Sequence, residues 1–182
     1  MTPSSGMLIA LAGLPGTGKT CVARDAACRF GALHLRIDSI EQALLRTGMT
    51  GESVGAKGYA VAYALAEDNL RLGRIVIADS VNPLAVTREA WRATAARAGV
   101  PVVEVEVVCS DRQEHRRRIE SRVADIAGCV LPTWQDVLDR HYEAWEGERT
   151  VIDTAHLAVS ACVDLLDRQL HAVAAACRRT QA

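Results

Sequence analysis

The hydrophobic residues of this chain fall into two kinds of pattern, which alternate along its length. Continuous apolar runs of about four to eight residues are typical of strands buried on both faces, and apolar residues recurring about every three or four positions are typical of helices. Such runs predict strands at 8–11, 33–37, 74–79, 100–109 and 150–153. Periodic stretches predict helices at 21–30, 40–46, 58–72, 84–98, 110–123, 132–145 and 156–177. This alternation predicts an α/β fold with a parallel five-stranded sheet between two layers of helices.

Local signals refine several boundaries of these elements. Ser39 and Ser110 precede helices and are predicted to cap them. The stretch 47–57 holds three glycines and small polar residues, which predicts a mobile connection on the substrate side. Glu104 and Glu106 fall on one side of the fourth strand, which predicts either a sheet edge or a polar lining there.

The turn after the first strand carries the clearest chemical signal. Gly13, Gly18, Lys19 and Thr20 satisfy the spacing GxxxxGK[ST] between a buried strand and a helix. In such a loop, glycines let successive backbone N–H groups point inward at a polyphosphate, and the helix start adds its positive end. Lys19 is predicted to reach the β- and γ-phosphates, and Thr20 to bind the accompanying Mg²⁺. The predicted ATP-binding residues are Gly13, Pro15, Gly16, Thr17, Gly18, Lys19, Thr20 and Cys21.

Two aspartates lie at the ends of predicted strands, at the sheet edge where parallel α/β proteins bind ligands. Asp38 is predicted to be the catalytic base, which orients a substrate hydroxyl and accepts its proton. A helix-capping role is the alternative for Asp38. Asp79 is predicted to hold Mg²⁺, through water or beside Thr20, with a structural hydrogen bond as its alternative.

The stretch 110–123 is strongly cationic, with five arginines among three acids. A planar guanidinium can bridge the oxygens of a transferring phosphoryl group and stabilise the charge on them. A solvated helix face is the commoner meaning of such a run. Arg118 and Arg122, four residues apart and therefore on one helical face, are predicted to be the catalytic arginines.

Composition narrows the class of protein. The 182 residues, 49% hydrophobic and 24% charged, predict a single globular domain over 1–182. A net charge of -1 and an aromatic content of 4% disfavour nucleic acid as the main ligand. Six cysteines without metal-binding spacing predict reduced core thiols in a cytoplasmic protein. The N-terminal sequence has the features of neither a signal peptide nor a membrane span, so no membrane partner is expected.

Together these segments resemble the P-loop kinases related to the kinase domain of polynucleotide kinase, the zeta toxins and chloramphenicol phosphotransferase. The resemblance rests on GLPGTGKT, LRIDSIEQAL, IVIADSVNPLAVTREAW, CSDRQEHRRRIESR, and PTWQDV followed by HYEAW. It implies a core like that of nucleoside monophosphate kinases, with a short helical lid at about 110–130. Members that act on polynucleotides often carry an arginine shortly after the aspartate. Here the next arginine after Asp38 is Arg46, which weakens the case for recognition of an acceptor phosphate.

The same resemblance implies roles for individual residues. Asp38 takes the part of the base, and Asp79 with Asn82 senses the acceptor or the metal. Arg118 or Arg122 takes the part of the lid arginine.

The expected function is that of an ATP-dependent kinase, which uses ATP and Mg²⁺ to phosphorylate a hydroxyl of a small molecule. A 5′-hydroxyl polynucleotide kinase is one alternative, and a nucleotide switch or slow NTPase is another. A guanine-specific switch would carry an NKxD sequence, which the chain lacks. The identity of the acceptor, the choice between ATP and GTP, and the oligomeric state stay open at this point.

Overall fold

The computed structural model describes residues 6–49 and 51–180, with the backbone alone at 51–53 and 180. Its strands are β1 (Met7–Ala12), β2 (Leu33–Arg36), β3 (Ile75–Asp79), β4 (Val102–Val108) and β5 (Thr150–Asp153). Its helices are α1 (Lys19–Phe30), α2 (Ile37–Arg46), α3 (Gly51–Arg71), α4 (Ala85–Ala98), α5 (Arg112–Ser121), α6 (Trp134–Leu138) and α7 (Val159–Thr180). All five predicted strands are confirmed within a residue or two at most ends.

The five strands form a parallel sheet in the order β2-β3-β1-β4-β5. The register places Arg36 beside Asp79, and Asp79 beside Leu11. The carboxyl ends of β2, β3 and β1 therefore meet at one edge. The chain runs from β1 to the β2 side of the sheet, and from β3 back past β1 to the β4 side, so the crevice where α/β sheets bind ligands lies at this edge.

Strand β1 is the centre of the core, and every residue of it has an exposed fraction of 0%. Met7, Ile9 and Leu11 point to the side covered by α1 and α7, whereas Leu8 and Ala10 point to the side covered by α3 and α4. Burial on both faces explains why the strand is a continuous apolar run. Of the helices that the structure describes, none is long and apolar enough to span a bilayer.

The boundary between β2 and α2 differs from the prediction. Helix α2 begins at Ile37, and its N-cap residue is Arg36, whose side chain makes no capping hydrogen bond. The predicted Ser39 cap is therefore wrong. Asp38 lies in the first turn of α2 and not at the strand end. The positive end of the helix favours an acid in this first turn.

Part of the glycine-rich stretch 47–57 is helical instead of forming the predicted connection. Residue 50 lies outside the described residues, but helix α3 already runs from Gly51. A Cβ on Gly58 would lie 2.7 Å from Cγ of Glu41. At this position glycine lets α3 pack closely against α2. The predicted mobile connection is wrong for 51–57, because these residues belong to α3.

Helix α5 is capped by a different residue from the one predicted. The Asp111 carboxylate accepts hydrogen bonds from the backbone N–H groups of Gln113 and Glu114, at 2.9 and 3.1 Å. The predicted Ser110 cap is wrong, because Asp111 is the N-cap residue. The backbone N–H of Ser110 donates to Asp153 at 3.0 Å.

The predicted helix at 132–145 is reduced to the five residues of α6. Beyond α6, the buried guanidinium of Arg88 donates hydrogen bonds to the backbone carbonyl groups of Glu143 and Ala144, at 2.7 and 3.0 Å. The Glu143 N–H donates to the Pro83 carbonyl at 2.9 Å. These backbone groups are thus bonded to α4 and the loop before it, and a helix through 139–145 would have to give them up.

Two smaller predictions are corrected by burial and position. Strand β4 lies inside the sheet, and its Glu104 and Glu106 pair with Arg92 and Arg149, so the sheet-edge alternative is wrong. All six cysteines are free. Cys109 and Cys162 are buried, as expected, but Cys21 and Cys28 of α1 are exposed and are not core thiols.

Candidate active site

The segment between β1 and α1 is a tight turn shaped by its glycines. Gly13, Gly16 and Gly18 have positive φ angles of 134°, 80° and 92°. A Cβ on Gly13 would lie 2.1 Å from the carbonyl oxygen of Val107, so only glycine lets the turn pass the end of β4. The turn leads directly into the first residue of α1, which is the geometry that presents backbone N–H groups to a phosphate.

Lys19 is the first residue of α1 and is 7% exposed. Its Nζ donates to the Leu14 carbonyl at 2.7 Å, which holds the side chain folded back over the turn. Burial lowers the pKa of Lys19 from 10.5 to about 8, although the charges of Asp79 and Asp38 oppose the shift. A lysine held in this way is a fixed positive charge that an incoming phosphate would stabilise.

Asp79 lies at the carboxyl end of β3 and is 3% exposed. Its carboxylate is bonded to Nε2 of His34 at 3.0 Å. Burial alone would raise the pKa of Asp79, but the His34 bond, the charge of Lys19 and the nearby Thr20 hydroxyl bring it below its usual range. Asp79 is therefore ionised and faces the two loop residues predicted to bind phosphate and metal.

Asp38 is much more open than Asp79. Its side chain is 43% exposed, and its nearest cationic partner is Arg36, at 3.5 Å. That separation is too long for a strong hydrogen bond, so the carboxylate oxygens of Asp38 are available to a ligand. The charge of Asp38 also acts on Lys19, which places the two residues around one space.

A cavity of ≈ 710 Å³ opens over this edge of the sheet, a volume in the range of small-molecule sites. The loop residues that line it are Pro15, Gly16, Gly18, Lys19, Thr20 and Cys21. Asp38, Asp79, Arg118 and Arg122 line it as well, so the structure brings these predicted residues together. Gly13 and Thr17 are buried within the loop, and Asn82 is fully buried; none of the three lines the cavity.

The two predicted arginines differ in what holds them. Arg118 donates to the hydroxyl and the carbonyl of Thr154, at 2.8 and 2.9 Å, and Thr154 in turn donates to the Thr17 carbonyl at 2.7 Å. Arg122, just beyond the end of α5, makes no hydrogen bond or ion pair within the described part of the chain. Its positive charge still acts on Lys19. Arg118 is thus part of the wall behind the loop, while Arg122 is free to meet a ligand.

Sequence reasoning missed several polar residues that line the same cavity. They are Arg24, Arg36, Glu41, Tyr59, Ser80, Asp125 and Arg140. Glu41 follows Asp38 by three positions on α2, so helical spacing would have found it had the helix start been placed at Ile37. Arg140 lies beyond α6, in the part of the chain whose conformation the prediction missed.

Comparison with known proteins identifies the family of the chain. Residues 8–143 match a protein family described as an AAA domain. The chain belongs to this family. The predicted resemblance to P-loop kinases is confirmed at the level of the family. No curated protein matches the sequence.

Comparison with solved structures identifies the fold of this chain. The chain is similar to the APS kinase CysC of Mycobacterium tuberculosis, in complex with AMPPNP and APS, with a TM-score of 0.71 and 18% identity over 93% of this chain and 99% of that one. A gluconokinase from Sinorhizobium meliloti has a TM-score of 0.70 and 16% identity over 100% of both chains. Kti12 of Chaetomium thermophilum, in complex with ADP-AlF3, has a TM-score of 0.63 and 21% identity over 87% of this chain and 96% of that one. At these identities the likeness shows the fold, which is that of the P-loop kinases.

Proposed function

We propose that this protein is an ATP-dependent kinase that transfers the γ-phosphoryl group to a hydroxyl of a small molecule. One observation carries the proposal: a single cavity is lined both by the glycine-rich loop with Lys19 and Thr20 and by the open carboxylate of Asp38. A nucleotide site alone would not need an accessible carboxylate facing its lysine. A kinase needs both a site for the donor and a base for the acceptor.

The loop end of the cavity fits a nucleoside triphosphate with its magnesium ion. Mg²⁺ is usually held by one or two protein oxygen ligands together with substrate phosphates and water. Thr20 and the ionised Asp79 offer that pair, whereas the described residues contain no group of three or more His, Cys, Asp or Glu side chains that could enclose a metal by themselves. When bound there, the ion would neutralise charge on the phosphates.

Asp38 supplies the acceptor chemistry in the same cavity. Asp38 would orient the acceptor hydroxyl and accept its proton as the hydroxyl oxygen bonds to the γ-phosphorus and the bond from that phosphorus to the bridging oxygen breaks. Lys19 and Arg122 both line the cavity, and their positive charges would stabilise the charge on the transferring group. The products are the phosphorylated acceptor and ADP.

The fold neighbours support this class of reaction. They include an APS kinase with a nucleotide analogue and APS bound and a gluconokinase, which act on small molecules. A cytoplasmic location and a single domain over 1–182 belong to the same proposal. A nucleotide switch or slow NTPase is the competing function, and it differs in needing no acceptor.

The test compares phosphoryl transfer by the native protein and by Asp38→Asn. Transfer from γ-labelled ATP with Mg²⁺ is measured against nucleosides, sugars, aminosugars, aromatic alcohols and 5′-hydroxyl oligonucleotides. The variant should lower transfer by about 10²–10⁴-fold while leaving nucleotide affinity nearly unchanged. Asp25→Asn, at an exposed aspartate of α1 outside the cavity, serves as the matched control. Hydrolysis that no acceptor stimulates, equal in both proteins, would support the switch and overturn the kinase.

A further inference from the structure

A second carboxylate faces the cavity beside Asp38. Glu41 lies three residues further along α2, and both side chains line the cavity. Glu41 is partly buried, yet it takes part in no hydrogen bond or ion pair within the described residues. Burial and the neighbouring charge of Asp38 both raise the pKa of Glu41, while the charge of Arg140 acts in the opposite direction. An acid in this position lacks the partner that a structural carboxylate normally has.

The surface behind Glu41 is built to hold its side chain. Two glycines of α3 lie against it: a Cβ on Gly58 would be 2.7 Å from Cγ of Glu41, and a Cβ on Gly55 would be 3.8 Å from Oε1. A larger residue at Gly58 would push the Glu41 side chain away. The close approach of α3 therefore fixes where this carboxylate lies at the cavity wall.

Other walls of the cavity carry buried polar atoms without partners. Ser80 is 3% exposed, and its Oγ makes no hydrogen bond; it lies near the Tyr59 hydroxyl but outside hydrogen-bonding geometry. Arg36 is 7% exposed, and its Nε likewise has no partner. Both residues line the cavity. Both atoms are enclosed in the protein, whereas the unpaired carboxylate of Glu41 is only partly buried and lines the cavity, so it can accept a hydrogen bond from a polar ligand.

We propose that Glu41 is the specificity-determining residue of the acceptor site, and that it accepts a hydrogen bond from a second donor group next to the reacting hydroxyl. This proposal rests on the proposed function, in which Asp38 takes the reacting hydroxyl. Residues three apart on a helix lie about 5–6 Å apart at Cβ, so the two carboxylates can receive donors on neighbouring carbon atoms. The acceptor is accordingly a polyol or an amino alcohol. An anionic group beside the hydroxyl would be repelled by both carboxylates.

The test uses probes that differ only in the neighbouring group. Cyclohexanol, trans-1,2-cyclohexanediol, trans-2-aminocyclohexanol and trans-2-hydroxycyclohexanecarboxylate are compared in the presence of Mg²⁺ and a non-hydrolysable ATP analogue. Binding is measured by ligand-observed NMR, and transfer is measured separately with labelled ATP. The native protein should bind the diol or the amino alcohol about tenfold more tightly than cyclohexanol, and the carboxylate most weakly.

Two substitutions at Glu41 separate the sources of the preference. Glu41→Ala should abolish the preference over cyclohexanol, whether the preferred probe is the diol or the amino alcohol. Glu41→Gln keeps an acceptor oxygen and the shape of the side chain, so it should retain a preference for the diol but lose one for the amine. Glu89→Gln, at an exposed glutamate of α4, is the matched control and should behave like the native protein.

Each failure has its own signature. A native protein that binds cyclohexanol as well as the other probes, or binds none of them, overturns the role of Glu41, and so does a preference that survives in Glu41→Ala. Binding that depends on Glu41 without transfer to any acceptor would overturn the proposed kinase function and leave the binding site standing. Transfer to cyclohexanol alone would support the proposed kinase function and overturn the role of Glu41.

Discussion

The Arg36 guanidinium, at the carboxyl end of β2, donates two hydrogen bonds to the carboxylate of Asp125, at 2.7 and 3.0 Å. The two residues are 89 positions apart in the chain. Arg36 is nearly buried, whereas Asp125 lies in the segment 122–133 that connects α5 to α6. Arg24 of α1 also donates to Asp125, at 2.5 Å. This carboxylate therefore anchors one wall of the cavity to the sheet and to α1.

Asp125→Asn should loosen that wall and destabilise the fold. An asparagine has one acceptor oxygen in place of two, and the buried Arg36 loses the nearer of its two carboxylate partners, with Asp38 left at 3.5 Å. We expect the free energy of unfolding to fall by about 1–3 kcal/mol in urea denaturation, and the KM for the acceptor to rise more than the KM for ATP. Asp139→Asn, at the exposed residue that follows α6, is the control and should change neither value. Equal effects on both substrates would argue against a role of this anchor at the acceptor side.

The affinity for Mg·ATP should fall as the pH rises above about 8. The pKa of Lys19 is about 8 in the free protein, so below this pH the side chain is charged and ready to meet phosphate. Above it, binding must take up a proton, because the phosphates favour the charged form. Calorimetry in buffers of different ionisation enthalpy should detect this proton uptake near pH 8.5 in the native protein. Lys19→Met should bind more weakly and lack the uptake, and an uptake that persists in the variant would assign the proton elsewhere.

The lowered pKa of Lys19 has the opposite effect on the stability of the unliganded protein, which should increase as the pH rises. Between pH 8 and 10.5 the unfolded chain holds a proton on Lys19 that the folded chain has lost. The contribution of Lys19 to stability therefore improves as the pH rises through this window. The difference in unfolding free energy between the native protein and Lys19→Met measures it.

The elements that depend on local sequence were the ones that could be predicted. The buried strands are visible as apolar runs, and the loop needs only Gly13, Gly18, Lys19 and Thr20 at fixed spacing. The bond between Arg36 and Asp125 could not be predicted, because it joins residues far apart in the chain. The irregular course of the segment after α6 could not be predicted for the same reason, since its carbonyl groups accept hydrogen bonds from Arg88, which is far away in the sequence. Tertiary bonds of this kind override a local helical pattern.

Arg122→Ala should slow phosphoryl transfer while leaving the fold intact. In the described part of the chain Arg122 has no hydrogen bond to lose, but it faces the space beside Lys19. A decrease of roughly tenfold to a thousandfold in kcat, with an unchanged melting temperature, is expected if it meets the transferring group. Arg118→Ala is the informative comparison, since it removes two bonds to Thr154 and should lower stability by about 1–3 kcal/mol. Normal transfer in the Arg122 variant would move the catalytic role to another cation, and Arg140 would be tested next.

Arg88→Lys should destabilise the protein although it conserves the charge. The Arg88 guanidinium is 2% exposed and donates to carbonyl groups of both the loop before α4 and the segment after α6. Its plane also stacks on the Trp145 ring, with 4.2 Å from Cζ to the ring centroid. A lysine has fewer donors and no planar face, so it cannot hold both segments at once.

The expected loss is about 2–4 kcal/mol in the free energy of unfolding, from the missing hydrogen bonds and the cation–π contact. Arg92→Lys is the matched control, because Arg92 lies one turn further along α4 and pairs with Glu89 and Glu104 in a partly exposed position. That variant should differ from the native protein by less than about 1 kcal/mol. If both variants unfolded at the same urea concentration, Arg88 would not be what holds the segment carrying Arg140 against the cavity, and the irregular course after α6 would need another cause.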